Sequence, residues 1–241
     1  MDQLQRLEVY RAQTKNVSAL QSAWKQVNRQ LNQAIARSDK AAAEINTKIM
    51  GLIYCAFAEA VFSKMIHTPH GFTIEEIGQI STAARGSVKS GWLKCTELAV
   101  NRISASKHNH RANVLQQLER LISDFVFDPS QIRNKLAHGQ WQIALNRDNT
   151  SVNRVLTREI ESNTFIDYYK RKAALARLAN IIEDIIESPS KAHFKDYWAH
   201  VTALEAELLN IATWTIEKKV EQLLSKKSRG GRHPHQSSRK D

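Results

Sequence analysis

One short stretch carries three side chains that together could act on a phosphodiester. Arg133, Asn134 and His138 lie within six residues, in the segment RNKLAH. Arginine is a permanent cation whose planar fork of donors suits phosphate, and imidazole accepts and gives up protons near neutral pH. Such a base could deprotonate a ribose 2′-hydroxyl, so that its oxygen attacks the adjacent phosphate while arginine stabilises the developing charge. The reaction needs no metal or cofactor and leaves a 2′,3′-cyclic phosphate and a 5′-hydroxyl.

The segment around these residues has the signals of a short helix over about residues 129–138. Asp128 is a good N-cap, Pro129 suits the first helical position, and Gln131 stands where a capping box needs it. Gly139 stands where a left-handed C-terminal residue belongs. Ten residues form too short a helix to be stable alone, so we expect it to pack on other elements.

Helical geometry divides the three side chains between two faces. Asn134 and His138 are four residues apart and share a face, whereas Arg133 lies about 100° from Asn134 and about 140° from His138. Spacing alone therefore does not bring Arg133 to His138, although a second copy of the helix across a two-fold axis could. The alternative is that all three are ordinary surface or capping residues, with His138 bonded to the last carbonyls of its helix.

Glu59 is a further candidate, because it is the only charged residue in the apolar run LIYCAFAEAVF at 52–62. An unpaired buried carboxylate is costly, so we expect it to pair with Arg133 or His138. The alternative is a partly exposed glutamate on a helix edge. Two neighbours of the motif also have two interpretations each. Lys135 either contacts phosphate or lies on a solvated face, and Trp141 either stacks on an RNA base or anchors a strand to the core.

The rest of the chain predicts long helices, consistent with few glycines and prolines. Helix 40–67 is apolar on nearly every side, which is typical of a helix packed all round. Residues 74–80 predict a short helical turn or two. The remaining predicted helices span 4–36, 87–106, 110–126, 164–187 and 190–224.

Between the motif and the last helices the hydrophobic period changes. Trp141, Ile143 and Leu145 alternate with less apolar residues, which predicts a small β-hairpin over about 140–157. We treat 1–224 as one domain, with a core over about 1–140 and two added helices over about 163–224. The pattern leaves open whether residues 157–224 form a separate domain.

Charge and composition restrict the partners. The formal net charge is +11, which favours polyanions, above all nucleic acid. Residues 225–241 hold six Lys and Arg against one Asp, and we expect a disordered tail that either aids solubility or contacts phosphate. Cys55 and Cys95 lie in apolar helical surroundings and are expected to be buried free thiols. With no leader pattern and no run of 18 apolar residues, the chain is expected to be soluble and cytoplasmic, with no membrane contact.

Two pairs of histidines could suggest a metal site. They are His67 with His70 and His108 with His110, and no cysteine or carboxylate nearby completes a ligand set. We therefore predict no metal site.

Arg133 to His138 resembles the R-x4-H motif of the HEPN (higher eukaryotes and prokaryotes nucleotide-binding) domain family, in which the residue after Arg is commonly Asn, Asp or His. Residues 54–72 are also similar to a helix and turn in some members of its prokaryotic branch. The resemblance covers the helices up to about residue 140. It implies an α-helical bundle that forms a homodimer with a composite active site between the two motifs.

The resemblance also implies an activity, that of a metal-independent endoribonuclease. Arg133 and His138 would be essential, Asn134 would support them, and an acidic residue on an early helix, such as Glu59, would assist. The implied role is that of a toxin or an antiviral defence enzyme. RNA is the implied partner, with tRNA one candidate.

One position departs from the family pattern. Some members carry a tyrosine two residues after the histidine, which a partner nucleotidyltransferase modifies with AMP, whereas this chain has Gln140. The inhibitor or antitoxin partner is therefore left unspecified. Two other functions stay open: a non-catalytic module that binds RNA or a nucleotide, and a protein-interaction module whose motif is structural.

Overall fold

The computed structural model describes residues 1–103, 110–189 and 192–230, and every regular element in those ranges is helical. The expected all-α class is therefore confirmed. A π-helical turn, Ser123–Phe127, links the fifth and sixth helices. The α-helices are α1 (Gln3–Ala36), α2 (Lys40–Ile66), α3 (Ile74–Gly86), α4 (Val88–Asn101), α5 (His110–Ile122), α6 (Asp128–Ala137), α7 (Arg154–Ser162), α8 (Phe165–Glu187), α9 (Ala192–Ala212) and α10 (Ile216–Gly230).

The centre of the fold is α2, which contacts α1, α4, α6 and α8, as its apolar surface predicted. At Gly51 it comes so close to α8 that a Cβ atom would lie 2.6 Å from the Tyr168 hydroxyl oxygen. Among the described helices, α2 alone is long and apolar enough to cross a bilayer, and 56% of its apolar window is buried inside the protein. Such burial is compatible with a core helix of a soluble protein.

The first helix is fastened to the end of α2 by a buried arginine. Arg6 is only 4% exposed. Its guanidinium donates hydrogen bonds to the carbonyl oxygens of His67 (3.3 Å), Phe72 (3.1 Å) and Thr68. Three carbonyls that follow α2 thereby gain a partner away from water, and the charge is distributed among them.

The C-terminal helices belong to the same hydrophobic cluster as the N-terminal ones. The helix expected over 164–187 is present as α8, and Thr164 and Asp167 form a capping box at its start. Leu175 and Ile182 of α8 are fully buried, and the cluster that contains them also includes Leu31 of α1 and Val201 of α9.

The predicted β-hairpin is wrong. Among the described residues there is no strand, and the segment is closed by one isolated antiparallel bridge between Leu145 and Val152. The return strand is replaced by α7, because Asn153 accepts a hydrogen bond from the Leu156 backbone and begins a helix. Ala144 is buried there while Ile143 is 55% exposed. The alternation predicted the opposite, with Ile143 on the buried face.

Several predicted boundaries also move. The helical turn expected at 74–80 extends to Gly86, and α4 ends at Asn101 rather than 106. The expected helix 190–224 is divided by a turn at 213–215 into α9 and α10. Because α10 continues to Gly230, the first residues of the expected tail are helical. Residues 231–241, 104–106 and His108 lie outside the described residues.

Candidate active site

The motif helix α6 is the continuation of α5 through the π-helical turn. Asp128 has helical backbone angles and makes no side-chain cap, so the expected N-cap and capping box are wrong. The first turn of α6 needs no cap because the chain is already helical there, and the Asp128 N–H donates to the Ser123 carbonyl. Pro129 has no N–H, which leaves the Phe125 carbonyl without its α-helical donor. The Tyr54 hydroxyl of α2 donates to that carbonyl instead.

The other end of α6 is as predicted. Gly139 has a φ of +78°. Its N–H donates to the Leu136 carbonyl (3.1 Å), and the Gln140 N–H donates to the Lys135 carbonyl (2.9 Å). This is a Schellman turn, and it places His138 at the last residue before the chain reverses.

A small second cluster of apolar side chains packs under α6. Ile132 and Leu136 pack there with Ala144 of the following loop and Ile160 of α7. Trp141 is partly buried against this cluster, and its indole N–H donates to the Leu136 carbonyl (2.9 Å). These contacts are those of an anchor that joins the loop to α6, one of the two interpretations of Trp141.

Arg133 pairs with Glu59, which decides between the two partners expected for that carboxylate. The Arg133 guanidinium donates to the Glu59 carboxylate, and its second nitrogen, Nη1, donates to Oδ1 of Asn134 (3.2 Å). The side chains of Arg133 and Glu59 are 30% and 43% exposed. The guanidinium is therefore oriented from two sides and still open to solvent.

Cys55 lies beside this pair and plays a structural part. Its thiol contacts the Pro129 carbonyl at 3.5 Å, one turn before Glu59 on the face of α2 that meets α6. Burial raises the pKa of Cys55 to about 12, although the nearby Arg133 guanidinium acts in the opposite direction. The thiol therefore stays protonated and is not a nucleophile. Cys55 and Cys95 are both buried and free, as expected.

His138 is exposed and lies on another face of α6 from Arg133. Within the described part of the chain its ring makes no hydrogen bond, so its side chain does not cap the helix. Only its backbone N–H bonds to the turn, at the Asn134 and Lys135 carbonyls. No contact joins it to Arg133 among the described residues, as the spacing predicted.

A polar groove of about 740 Å³ opens beside His138. Asn134, Lys135 and His138 line one wall, and the loop before α7, including Arg147, lines the other. Lys135 is partly buried and donates to the Leu145 carbonyl (2.6 Å), which fixes the loop against α6. Arg147 is not among the predicted site residues, because the predicted hairpin over 140–157 places it near the turn between two strands. It could have been found by recognising Asn153 as a helix cap, which brings the loop back to α6.

Three of the histidines considered as metal ligands, His67, His70 and His110, do not line this groove. His67 is buried, and its Nδ1 lies 2.6 Å from the Ser63 carbonyl oxygen. His70 is exposed and has a positive φ of 63°. Within the residues that the structure describes, no three His, Cys, Asp or Glu side chains are grouped to hold a metal ion.

Compared with models of protein families, with curated proteins and with solved structures, the chain gives no match.

Proposed function

We propose that the protein is a metal-independent endoribonuclease that acts as a homodimer in the cytoplasm, with a toxin or antiviral defence role. One observation carries this proposal. Arg133 is held by Glu59 and Asn134 at the surface, while His138 stands free a turn away. Neither side chain fills a core or caps a helix. Arg133 joins α6 to α2 through Glu59 and keeps its guanidinium open to solvent. The exposed His138 ring makes no hydrogen bond among the described residues, so a structural role does not account for the histidine.

The proposed chemistry assigns one task to each group. The His138 imidazole takes the proton of a ribose 2′-hydroxyl, and the oxygen forms a new bond to the adjacent phosphorus. The bond from phosphorus to the 5′-oxygen breaks, and that oxygen leaves with the proton that the His138 imidazolium gives back. Arg133 stabilises the negative charge that gathers on the phosphoryl oxygens. Glu59 and Asn134 act as positioning residues that hold the guanidinium.

The separation of Arg133 from His138 within one chain supports a composite site between two chains. In a two-fold dimer whose axis passes close to α6, each motif faces its symmetry copy, so the arginine of one protomer can lie beside the histidine of the other. The resemblance to the HEPN family is the independent reason to expect this arrangement.

Cleavage in the presence of EDTA tests the activity. Purified protein is incubated with tRNA and total RNA, and we expect fragments with 2′,3′-cyclic phosphate and 5′-hydroxyl ends. A substrate with a 2′-deoxy nucleotide at the cleavage site should resist, and His138→Ala should be inactive while still binding RNA. Fragments from the wild type and His138→Ala in equal amounts would point to a contaminating nuclease and refute the assignment.

Mixing two inactive variants tests the composite site. Arg133→Ala and His138→Ala chains, unfolded and refolded together, give heterodimers in about half of the dimers, and each heterodimer has one intact arginine–histidine combination across the interface. We expect the mixture to regain up to about a quarter of wild-type activity. A mixture as inactive as its components would place the reacting groups within one chain.

The same separation also favours a second candidate, a module that binds RNA without cutting it. In that case wild-type protein and His138→Ala would both bind, and no new RNA ends would appear in either. Analysis of RNA ends from cells that express the protein separates this case from an enzyme that needs activation.

A further inference from the structure

The groove between α6 and the loop before α7 has a defined shape, because hydrogen bonds from side chains hold the loop in place. Asn146 holds the loop, since its Oδ1 accepts from the Thr150 and Ser151 backbones (2.8 and 3.3 Å) and its Nδ2 donates to the Thr150 hydroxyl (2.8 Å). Gln140 reaches across from the end of α6, accepting from the Leu145 N–H (2.8 Å) and donating to the Asn149 side chain (3.4 Å). The loop is thus shaped before any ligand arrives.

The walls of the groove combine positive charge with amide groups. Lys135 and Arg147 contribute cations, and none of the lining residues is acidic. Six of the lining residues are asparagines or glutamines, at positions 131, 134, 140, 146, 149 and 153. A volume of about 740 Å³ is within the range of roughly 300–1,000 Å³ that ligand sites occupy.

Some of these polar groups are free to bind a ligand. Within the described residues the Arg147 guanidinium and the Gln131 amide make no hydrogen bond, and the Asn134 and Asn149 amides use only their oxygens. A free guanidinium suits a phosphate, and amide groups suit the edges of nucleobases, which offer both donors and acceptors. In a duplex those edges are paired with each other, whereas in an unpaired strand they are open to side chains.

We propose that this groove binds an unpaired RNA strand next to the bond that is cut, with Arg147 on a phosphate and the free amides on base edges. The inference rests on the proposed ribonuclease function for the placement of the cut, because His138 lines the same groove. Arg147 and Gln131 would then determine which RNA is bound, since neither takes part in the proposed reaction.

Binding by the inactive His138→Ala protein tests the groove without cleavage. Fluorescence anisotropy with a labelled single-stranded RNA, over a range of salt concentrations, gives the dissociation constant and its salt dependence. Arg147→Ala should weaken binding about five- to tenfold and lower the salt slope by about 0.7. Arg158→Ala is the matched control, because Arg158 is exposed on α7 but does not line the groove, and it should bind as the parent does. A duplex of the same sequence should bind at least tenfold more weakly.

The outcomes separate this inference from the proposed function. Equal binding by the Arg147→Ala and Arg158→Ala proteins, or equal binding of duplex and single strand, refutes the proposal that the groove binds an unpaired RNA strand. If wild-type protein cuts RNA and Arg147→Ala leaves KM unchanged, the ribonuclease function is supported and RNA binding in the groove is refuted. If the wild type does not cut RNA but its binding depends on Arg147, RNA binding in the groove is supported and the ribonuclease function is refuted. Gln131→Ala should alter the preference among bases more than the overall affinity, and an unchanged preference counts against base readout at that residue.

Discussion

Replacing Arg133 and His138 should abolish activity and leave the fold nearly as stable as before. The Arg133–Glu59 pair is 30% and 43% exposed, so its Coulomb attraction is screened and contributes about 0.2–1 kcal/mol. His138 is exposed with no ring hydrogen bond among the described residues, and such a substitution changes stability by about 0.5 kcal/mol or less. For a chain of this length about 1 kcal/mol corresponds to roughly 2–4 °C in Tm.

The loss of activity should be far larger. Removing a general base costs about 10²–10⁴-fold in rate, and removing a donor that stabilises transition-state charge costs about 10²–10³-fold. Glu59→Gln keeps a hydrogen-bond acceptor but no charge, so we expect a loss of about tenfold in kcat with KM little changed. Thermal unfolding and cleavage of one labelled RNA, measured on the same protein preparations, give both quantities.

A double-mutant cycle completes the test. Arg133→Ala, Glu59→Ala and the double variant should give a coupling free energy of about 0.2–1 kcal/mol for stability. In activity the Glu59 change should add almost nothing once Arg133 is gone, because a positioning residue acts only through its partner. A fall in Tm of more than about 8 °C in either single motif variant would show that the motif is structural, and the enzymatic interpretation would then lose its basis.

Three further predictions concern stability, each followed by thermal or urea unfolding. Arg6→Ala leaves three carbonyls without their donor and should lower the free energy of unfolding by about 2–4 kcal/mol. The exposed Arg11→Ala is the control and should lower it by less than about 0.5 kcal/mol. Similar values for both variants would contradict a stabilising role for the buried Arg6 hydrogen bonds. Burial lowers the pKa of His67, so the unfolded chain binds the proton more readily, and stability should fall as pH drops below about 6.5. In His67→Gln the stability should depend less on pH in this range. A pH profile identical to that of the wild type would rule His67 out as the source. Gly139→Ala should lower the free energy of unfolding by about 1–2 kcal/mol through its positive φ alone, since a Cβ there meets no atom within 4 Å. Gly78→Ala, inside α3 and equally free of close contacts, should raise it. Equal effects of the two substitutions would show that φ is not the cause.

Local signals predicted those parts of the fold that depend on neighbouring residues. The start of α8 at Thr164 and the left-handed Gly139 are formed as expected, because each needs only a few adjacent groups. For Glu59 the sequence leaves open two partners or a partly exposed position on a helix edge. The structure combines two of these alternatives, since Glu59 pairs with Arg133 and its side chain is 43% exposed. The cost of burying an unpaired carboxylate could not identify the partner, because this carboxylate is not buried.

The errors arose where another element of the fold decided the outcome. Asp128 has the sequence of an N-cap, yet whether it caps depends on whether the preceding residues are already helical, and here they are. The alternation around Ile143 resembled a strand, but Ala144 is the residue that the second apolar cluster buries. Arg147 entered the groove only because α7 returns the chain to α6, and α7 itself was not predicted.

The π-helical turn sets the direction in which the motif points. One residue rotates a helix by about 100° and advances it by about 1.5 Å, so removing one residue between 123 and 127 would turn α6 by that amount relative to α5. The core contacts of Leu118 and the pairing of Arg133 with Glu59 could then not both be kept. Chain length in this turn, rather than the chemistry of its side chains, therefore keeps Arg133 of α6 in register with Glu59 of α2. An insertion or deletion of one residue there should be more harmful than most substitutions within the turn.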